Sequence, residues 1–193
     1  MKNITFICTK KAFTKLNGWA KEISNATFHE PNLLHKTETE LVTIANSERA
    51  IIALNKDKQI VGFVVLWSLG IDSIGNNWNE IGTVYVPKHY RGQGIGSKIM
   101  NYAFKRWDNH KIMSTSKNVK FIHIALKSMI PVSSEKEMLC VVPLTCICDE
   151  SDGVADAVNC PFRNDKCVFL ISIATSLTVN HIIRKDSIVQ AAI

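Results

Sequence analysis

At 193 residues, with 46% hydrophobic and 21% charged side chains, the chain has the ordinary make-up of a globular protein, and one domain over 1–193 with one sizeable core is expected. No stretch approaches the length of a membrane span. Met1 to Phe13 lacks an apolar run of signal-peptide length, so a cytoplasmic setting with no membrane partner is expected. The net charge of +6 is uneven: residues 1–127 hold 18 Lys and Arg against 9 Asp and Glu, while residues 128–193 hold 5 against 8. Such a basic body suits an anionic cofactor or nucleic acid, although a solvated basic surface accounts for it without either.

Ile4 to Cys8 alternates weakly and reads as a short first strand. Ala12, Leu16, Trp19, Ala20 and Ile23 then recur at helical spacing, and Gly18 weakens that helix without forbidding it. Pro31 closes the segment. Thr37-Glu38-Thr39-Glu40 matches a capping box, so a second helix is expected to begin there. Arg49 to Leu54 and Gln59 to Trp67 are rich in β-branched residues around a polar turn, Asn55 to Lys58, which predicts a hairpin. After a loop from Gly70 to Asn79, Glu80 to Val86 reads as the fourth strand.

Ile95, Ile99, Met100, Ala103, Phe104 and Trp107 form one apolar face, opposite Ser97, Lys98, Asn101 and Lys105. This predicts a helix packed on a sheet. Val119 to Leu126 is expected to be the fifth strand, parallel to the fourth because a helix crosses between them. Beyond Ser128, Ser133 to Val142 could be a helix and Cys167 to Ala174 a strand. Five of the six cysteines crowd this tail. Cys146, Cys148, Cys160 and Cys167 could supply four thiolates, but the spacing lacks the usual zinc pairs, so no metal is expected. Pairing of two copies through tail strands is open.

Between the fourth strand and the helix lies Arg91-Gly92-Gln93-Gly94-Ile95-Gly96. Three glycines in five residues allow positive φ and bring bare backbone close to a ligand. A helix that starts directly afterwards aims its unpaired N–H groups and positive dipole end at the same place, which suits phosphate oxygens. A P-loop would need Gly-Lys-[Ser/Thr], and Lys98 has no glycine before it. A dinucleotide turn would need G-x-G-x-x-G, whereas the spacing here is G-x-G-x-G.

The pattern [RQ]-x-x-G-x-[GA] after a strand and opening a helix resembles the GNAT superfamily of N-acetyltransferases, with Arg91, Gly94 and Gly96 at its fixed positions. Val84 to Tyr90 is similar to that family's approach to the turn, and the likeness spans about residues 1–127. The resemblance implies an α/β (α+β) fold: a mixed, mostly antiparallel central sheet with helices on both faces and a splayed parallel pair at strands four and five. It implies an acetyl-CoA cosubstrate and an amine acceptor. The pyrophosphate would meet Arg91, Gly92, Gln93, Gly94, Ile95, Gly96 and Ser97. The pantetheine arm would meet the backbone of Val84, Tyr85 and Val86.

Glu80 lies eleven residues before Arg91, where histone-type members carry their catalytic glutamate, and is the candidate general base. By strand alternation it would share a face with Gly82, Val84 and Val86 unless a bulge intervenes. His123 is a weaker candidate and reads more simply as a core histidine; His89 sits beside the turn. The family's tyrosine acid, expected on a later helix that often opens with Asn, has no counterpart after Tyr102, which leaves water, Ser133, Ser134 or a cysteine. The implied activity is acetyl transfer to an amine by direct attack; a non-catalytic acyl-CoA-binding module is the alternative. The acceptor wall is expected within Trp19 to Leu34 and Gly70 to Trp78.

Overall fold

The computed structural model describes residues 4–30, 33, 35–71, 75–116, 118–131 and 168–172. Strands β1 (Thr5–Ile7), β2 (Ala50–Leu54), β3 (Ile60–Ile71), β4 (Asn77–Tyr85), β5 (Lys111–Ser116), β6 (Met129–Pro131) and β7 (Val168–Ser172) form one sheet. Its order is β1-β2-β3-β4-β5-β7-β6. Only β4 and β5 run parallel among these neighbours. Helices α1 (Lys10–Phe13), α2 (Trp19–His29) and α3 (Glu38–Asn46) cover one face; α4 (Ile95–Arg106) and α5 (Val119–Ala125) cover the other. The mixed, mostly antiparallel sheet implied by the family resemblance is therefore present.

Alternation along β2 assigns each residue to a layer. Ile51 and Ala53 join Ile95, Ile99 and Met100 of α4, while Ala50, Ile52 and Leu54 join Trp19, Ile23 and Leu41 under the first three helices. The strand is buried on both faces, which explains its unbroken apolar run. Gly62 permits the closest approach to α4: a Cβ there would stand 3.3 Å from Ile95 Cγ2 and 3.5 Å from Ile99 Cδ1.

The capping box at Thr37 is complete. Its side chain accepts from the Glu40 N–H at 3.2 Å, and Glu40 Oε2 accepts from the Thr37 N–H at 2.8 Å. The first helix is not continuous, however. Gly18 adopts φ +72 and splits the expected segment into α1 and α2. The apolar spacing survives the break because both pieces pack on the same layer.

The largest departure concerns the fifth strand. Val119 to Ala125 is helix, and β5 is the preceding segment Lys111–Ser116. Asn118 explains the outcome: its side chain accepts from the N–H of Lys120 at 3.0 Å and of Phe121 at 3.3 Å, an N-cap that starts a helix despite the β-branched composition. His123 is consequently exposed on α5 rather than central in a strand. The sheet strand expected near Cys167 to Ala174 is β7, which pairs antiparallel with both β5 and β6. The helix expected over 133–142 and the tail cysteines lie outside the described residues.

At the closed end of the parallel pair, Asn79 is 2% exposed and accepts from Arg49 Nη2. It also reaches the carbonyls of Asn77 and Lys111, both at 3.4 Å, while Arg49 Nε donates to Leu66 O at 2.8 Å. Removing the amide would leave a half-buried guanidinium short of an acceptor. Asn79→Ala is expected to cost about 1–3 kcal/mol, read as a lower melting temperature in thermal unfolding.

Candidate active site

Pairing between β4 and β5 stops early. Trp78, Asn79 and Glu80 face Lys111, Ile112 and Met113, after which β4 continues to Tyr85 with no register to β5. Ser114 Oγ donates to Ile81 O at 2.8 Å, which satisfies the first carbonyl beyond the last pair. Beyond that bond the two strands part, and no further β5 partner of β4 occurs among the described residues.

Within the opened stretch, Thr83 has φ +49 and the β3 register slips between Phe63 and Val65. This bulge changes the facing of the strand. Gly82 pairs with Val65 and Tyr85 with Phe63, both in the layer under α1 to α3. Val84 and Val86 instead pack in the α4 layer. Glu80 and Gly82 therefore do not share a face with Val84 and Val86, contrary to simple alternation. Trp67 Nε1 donates to Thr83 Oγ1 at 3.1 Å and holds the bulge in place.

Glu80 pairs across the ladder with Trp67 and adjoins Met113 on β5. Its Oε1 accepts from Thr115 Oγ1 at 3.0 Å. The residue as a whole is half-buried, and its carboxyl is surrounded by protein. Burial pushes it above the usual carboxylate range; the Thr115 hydrogen bonds and the positive charge of Lys36 pull it part of the way back. A Cβ at Gly82 would meet Trp67 Cδ1 at 3.4 Å and Glu80 Cδ at 3.7 Å, so the missing side chain leaves room between an indole edge and a carboxylate.

The glycine turn supplies the second component. Gly92 and Gly94 adopt φ +79 and +74, and a Cβ added to either would meet no atom within 4 Å. Gly94 is the N-cap of α4 and makes no side-chain cap. The first intrahelical bond runs from Lys98 N to Gly94 O. Among the described residues, none of the six main-chain N–H groups from Gly92 to Ser97 has an acceptor. Six donors thus stand at a largely exposed turn, at the positive end of a twelve-residue helix, an arrangement whose electrostatics favour negative charge.

The side chains around the turn hold it rather than extend it. Arg91 Nε donates to Val86 O at 2.8 Å, and its Nη2 pairs with Glu30 Oε2 at 2.6 Å, tying the turn to the end of α2. Tyr90 OH donates to Gln59 Oε1 at 2.8 Å and accepts from Asn55 Nδ2 at 3.2 Å, tying it to the hairpin. Gln93 Nε2 donates to His89 O at 3.2 Å. Ile95 is buried at 1% exposure, so only its N–H is offered to a ligand. Gly96 admits Ile124 of α5, whose Cδ1 would lie 3.1 Å from a Cβ there.

A cleft of about 750 Å³ lies between α2 and the Pro87 to Tyr90 segment that leads into the turn, lined among others by Glu22, Asn25, His29, Tyr85 and Lys88. The α2 part of the expected acceptor wall thus borders a cavity, at the Tyr85 end of β4 rather than at Glu80. Burial raises the Tyr85 hydroxyl above its ordinary value, opposed by the charge of Arg91. Sequence reasoning missed Thr115 and Ser114, because the strand that carries them was assigned to the following segment. Lys36, buried above Trp67, carried no recognisable signal.

The description "Acetyltransferase (GNAT) family" belongs to the family model that matches residues 15–123, more than half of the chain. No curated protein matches it in sequence. Among solved structures, an Acinetobacter baylyi protein described as an acetyltransferase is 21% identical, with a TM-score of 0.53 over 68% of this chain and 81% of its own. Rv2747 of Mycobacterium tuberculosis, solved in complex with CoA, is 16% identical with a TM-score of 0.57 over 87% and 98%. The yncA protein of Salmonella typhimurium, solved with acetyl-CoA, is 12% identical with a TM-score of 0.51 over 69% and 86%.

Proposed function

Because the chain belongs to the GNAT acetyltransferase family, we propose that it moves an acetyl group from acetyl-CoA to a primary amine by direct attack in a ternary complex, with Glu80 as general base. The observation that carries this reading is the run of six N–H groups from Gly92 to Ser97 that no described residue claims. Such a nest suits a diphosphate ester better than any single charged side chain would, because every donor is fixed before the ligand arrives. The CoA and acetyl-CoA of the solved relatives support the choice of cosubstrate.

In this mechanism the pyrophosphate rests on the turn and the pantetheine arm lies along the free edge of β4, against the backbone of Val84, Tyr85 and Val86. On this reading the thioester lies where β4 and β5 part, near the Thr83 bulge, and a main-chain N–H of β4 polarises its carbonyl. An amine of ordinary basicity is mostly protonated near neutrality and must lose a proton before it attacks. Glu80 takes that proton, directly or through one water; its raised proton affinity suits the task. The nitrogen then bonds to the carbonyl carbon, and the tetrahedral adduct gives its second N–H proton to solvent and collapses with loss of the CoA thiolate. Helix α5 opens on Asn118 but carries no tyrosine, so solvent protonates that leaving group.

Titration calorimetry with acetyl-CoA and a thiol-release assay over an amine panel test the proposal together. Binding with amine-dependent thiol release is expected. Binding with no release from any amine class would leave the acyl-CoA-binding module as the better reading, and an absence of binding would sink both.

A further inference from the structure

Lys36 is buried at 5% exposure, on the segment between α2 and α3. Its main-chain N–H donates to Thr27 Oγ1 at 3.0 Å, and Thr27 donates in turn to Ser24 O at 2.9 Å, so the residue is anchored to α2. Its Nζ stands 4.9 Å from the Trp67 ring centre. Its one ion pair within 4.0 Å among the described residues is Glu40 Oε1 at 3.8 Å, too long for a hydrogen bond. The other oxygen of Glu40 is occupied by Thr37, through its N–H and its hydroxyl, both at 2.8 Å.

A buried ammonium is costly unless its donors find acceptors, and here the described protein offers a distant carboxylate and an aromatic face. The location gives the charge a use. Trp67, beneath Lys36, pairs with Glu80 and borders the bare Cα of Gly82, so cation, indole, a methyl-wide gap and carboxylate follow one another on a single face. Lys36 is close enough for its charge to act on Glu80.

We infer that Lys36 is a specificity residue for the acceptor, which is a zwitterion: a small primary amine bearing a carboxylate, its nitrogen directed to Glu80 and its carboxylate to Lys36. The inference rests on the acetyl-transfer reading. The other charges around the site agree with it. Glu40 on α3 half-neutralises Lys36, Glu22 on α2 lies in the cleft toward Tyr85, and Lys111 at the start of β5 faces Trp78. Polycationic amines would meet Lys36 as a like charge.

The test compares amino acids with their neutral amides, on the parent protein and on Lys36→Met. Expected is a kcat/KM about 10- to 100-fold higher for the acid than for its amide, and a gap that collapses in the variant. Melting temperatures control for folding, and a buried charge with one long ion pair, replaced by Met, should change them little. Calorimetry of the N-acetyl amino acid and its amide in the presence of CoA reads carboxylate recognition without turnover. Equal binding of acid and amide to the parent, or binding of neither, overturns the inference. So does a variant that slows both acceptors equally and shifts only the pH profile, since Lys36 would then act through Glu80. Preferred binding of the acid with no thiol release from any amine would instead sink the catalytic reading and leave the recognition intact.

Discussion

Glu80→Gln is expected to lower kcat/KM for acetyl transfer by about 10²- to 10⁴-fold, the usual contribution of a positioned general base. Glutamine keeps the size of the side chain and an oxygen for the Thr115 hydroxyl, so the loss should come from chemistry rather than folding. Calorimetric affinity for acetyl-CoA should barely change, since the turn lies at the far end of β4. The pH dependence gives a second signature. Burial raises the proton affinity of Glu80, and the base works only when ionised. Parent activity should therefore fall, as pH decreases, at a pH above the ordinary carboxylate range. The glutamine variant should lose that limb and keep only the dependence imposed by the amine. Its stability should not suffer at neutral pH, because an ionised carboxylate with raised proton affinity is one the fold holds at a cost. A variant with parental turnover would remove Glu80 from the mechanism.

Gly94→Asp should have an effect as large on binding and a small one on folding. Position 94 is the N-cap of α4 with φ +74, a conformation that Asp tolerates better than most side chains, and open space surrounds it. A carboxylate at a helix N-terminus contributes about 0.3–1 kcal/mol, which offsets much of the backbone strain. The same carboxylate competes for the N–H donors and repels a diphosphate. Affinity for acetyl-CoA measured by calorimetry should fall by about 100-fold or more, as when a donor site is filled by a competing anion. The melting temperature of the free protein should stay within a few degrees of the parent, roughly the shift for 1 kcal/mol. Undiminished affinity would show that the turn does not hold the phosphates.

Local signals that act over one or two turns of chain read through to the structure. The Thr37 capping box, the hairpin around Asn55 to Lys58, the apolar face of α4 and the glycine turn all depend on neighbours within a few residues. Readings that needed a choice between two local tendencies did less well. Val119 to Ala125 is rich in β-branched and aromatic residues, and one side chain, Asn118, tipped it into a helix. The true β5 carries inward-facing Ser114, 1% exposed, which hid its burial because its acceptor is on another strand. The bulge beside Gly82 puts its positive φ on Thr83 rather than on the glycine, and the hydrogen bond that holds Thr83 comes from Trp67, sixteen residues away. Lys36 is the same case in the site: it is an ordinary lysine until α2, α3 and β3 converge on it.

Strand β7 lies between β5 and β6 although it follows both in the chain. While the polypeptide is being made, β5 must therefore wait for a partner that leaves the ribosome much later. In that interval it presents a ragged, ready-to-pair margin to any passing segment. Nascent copies would need shielding at this flank, and a stalled or prematurely released chain would keep it bare.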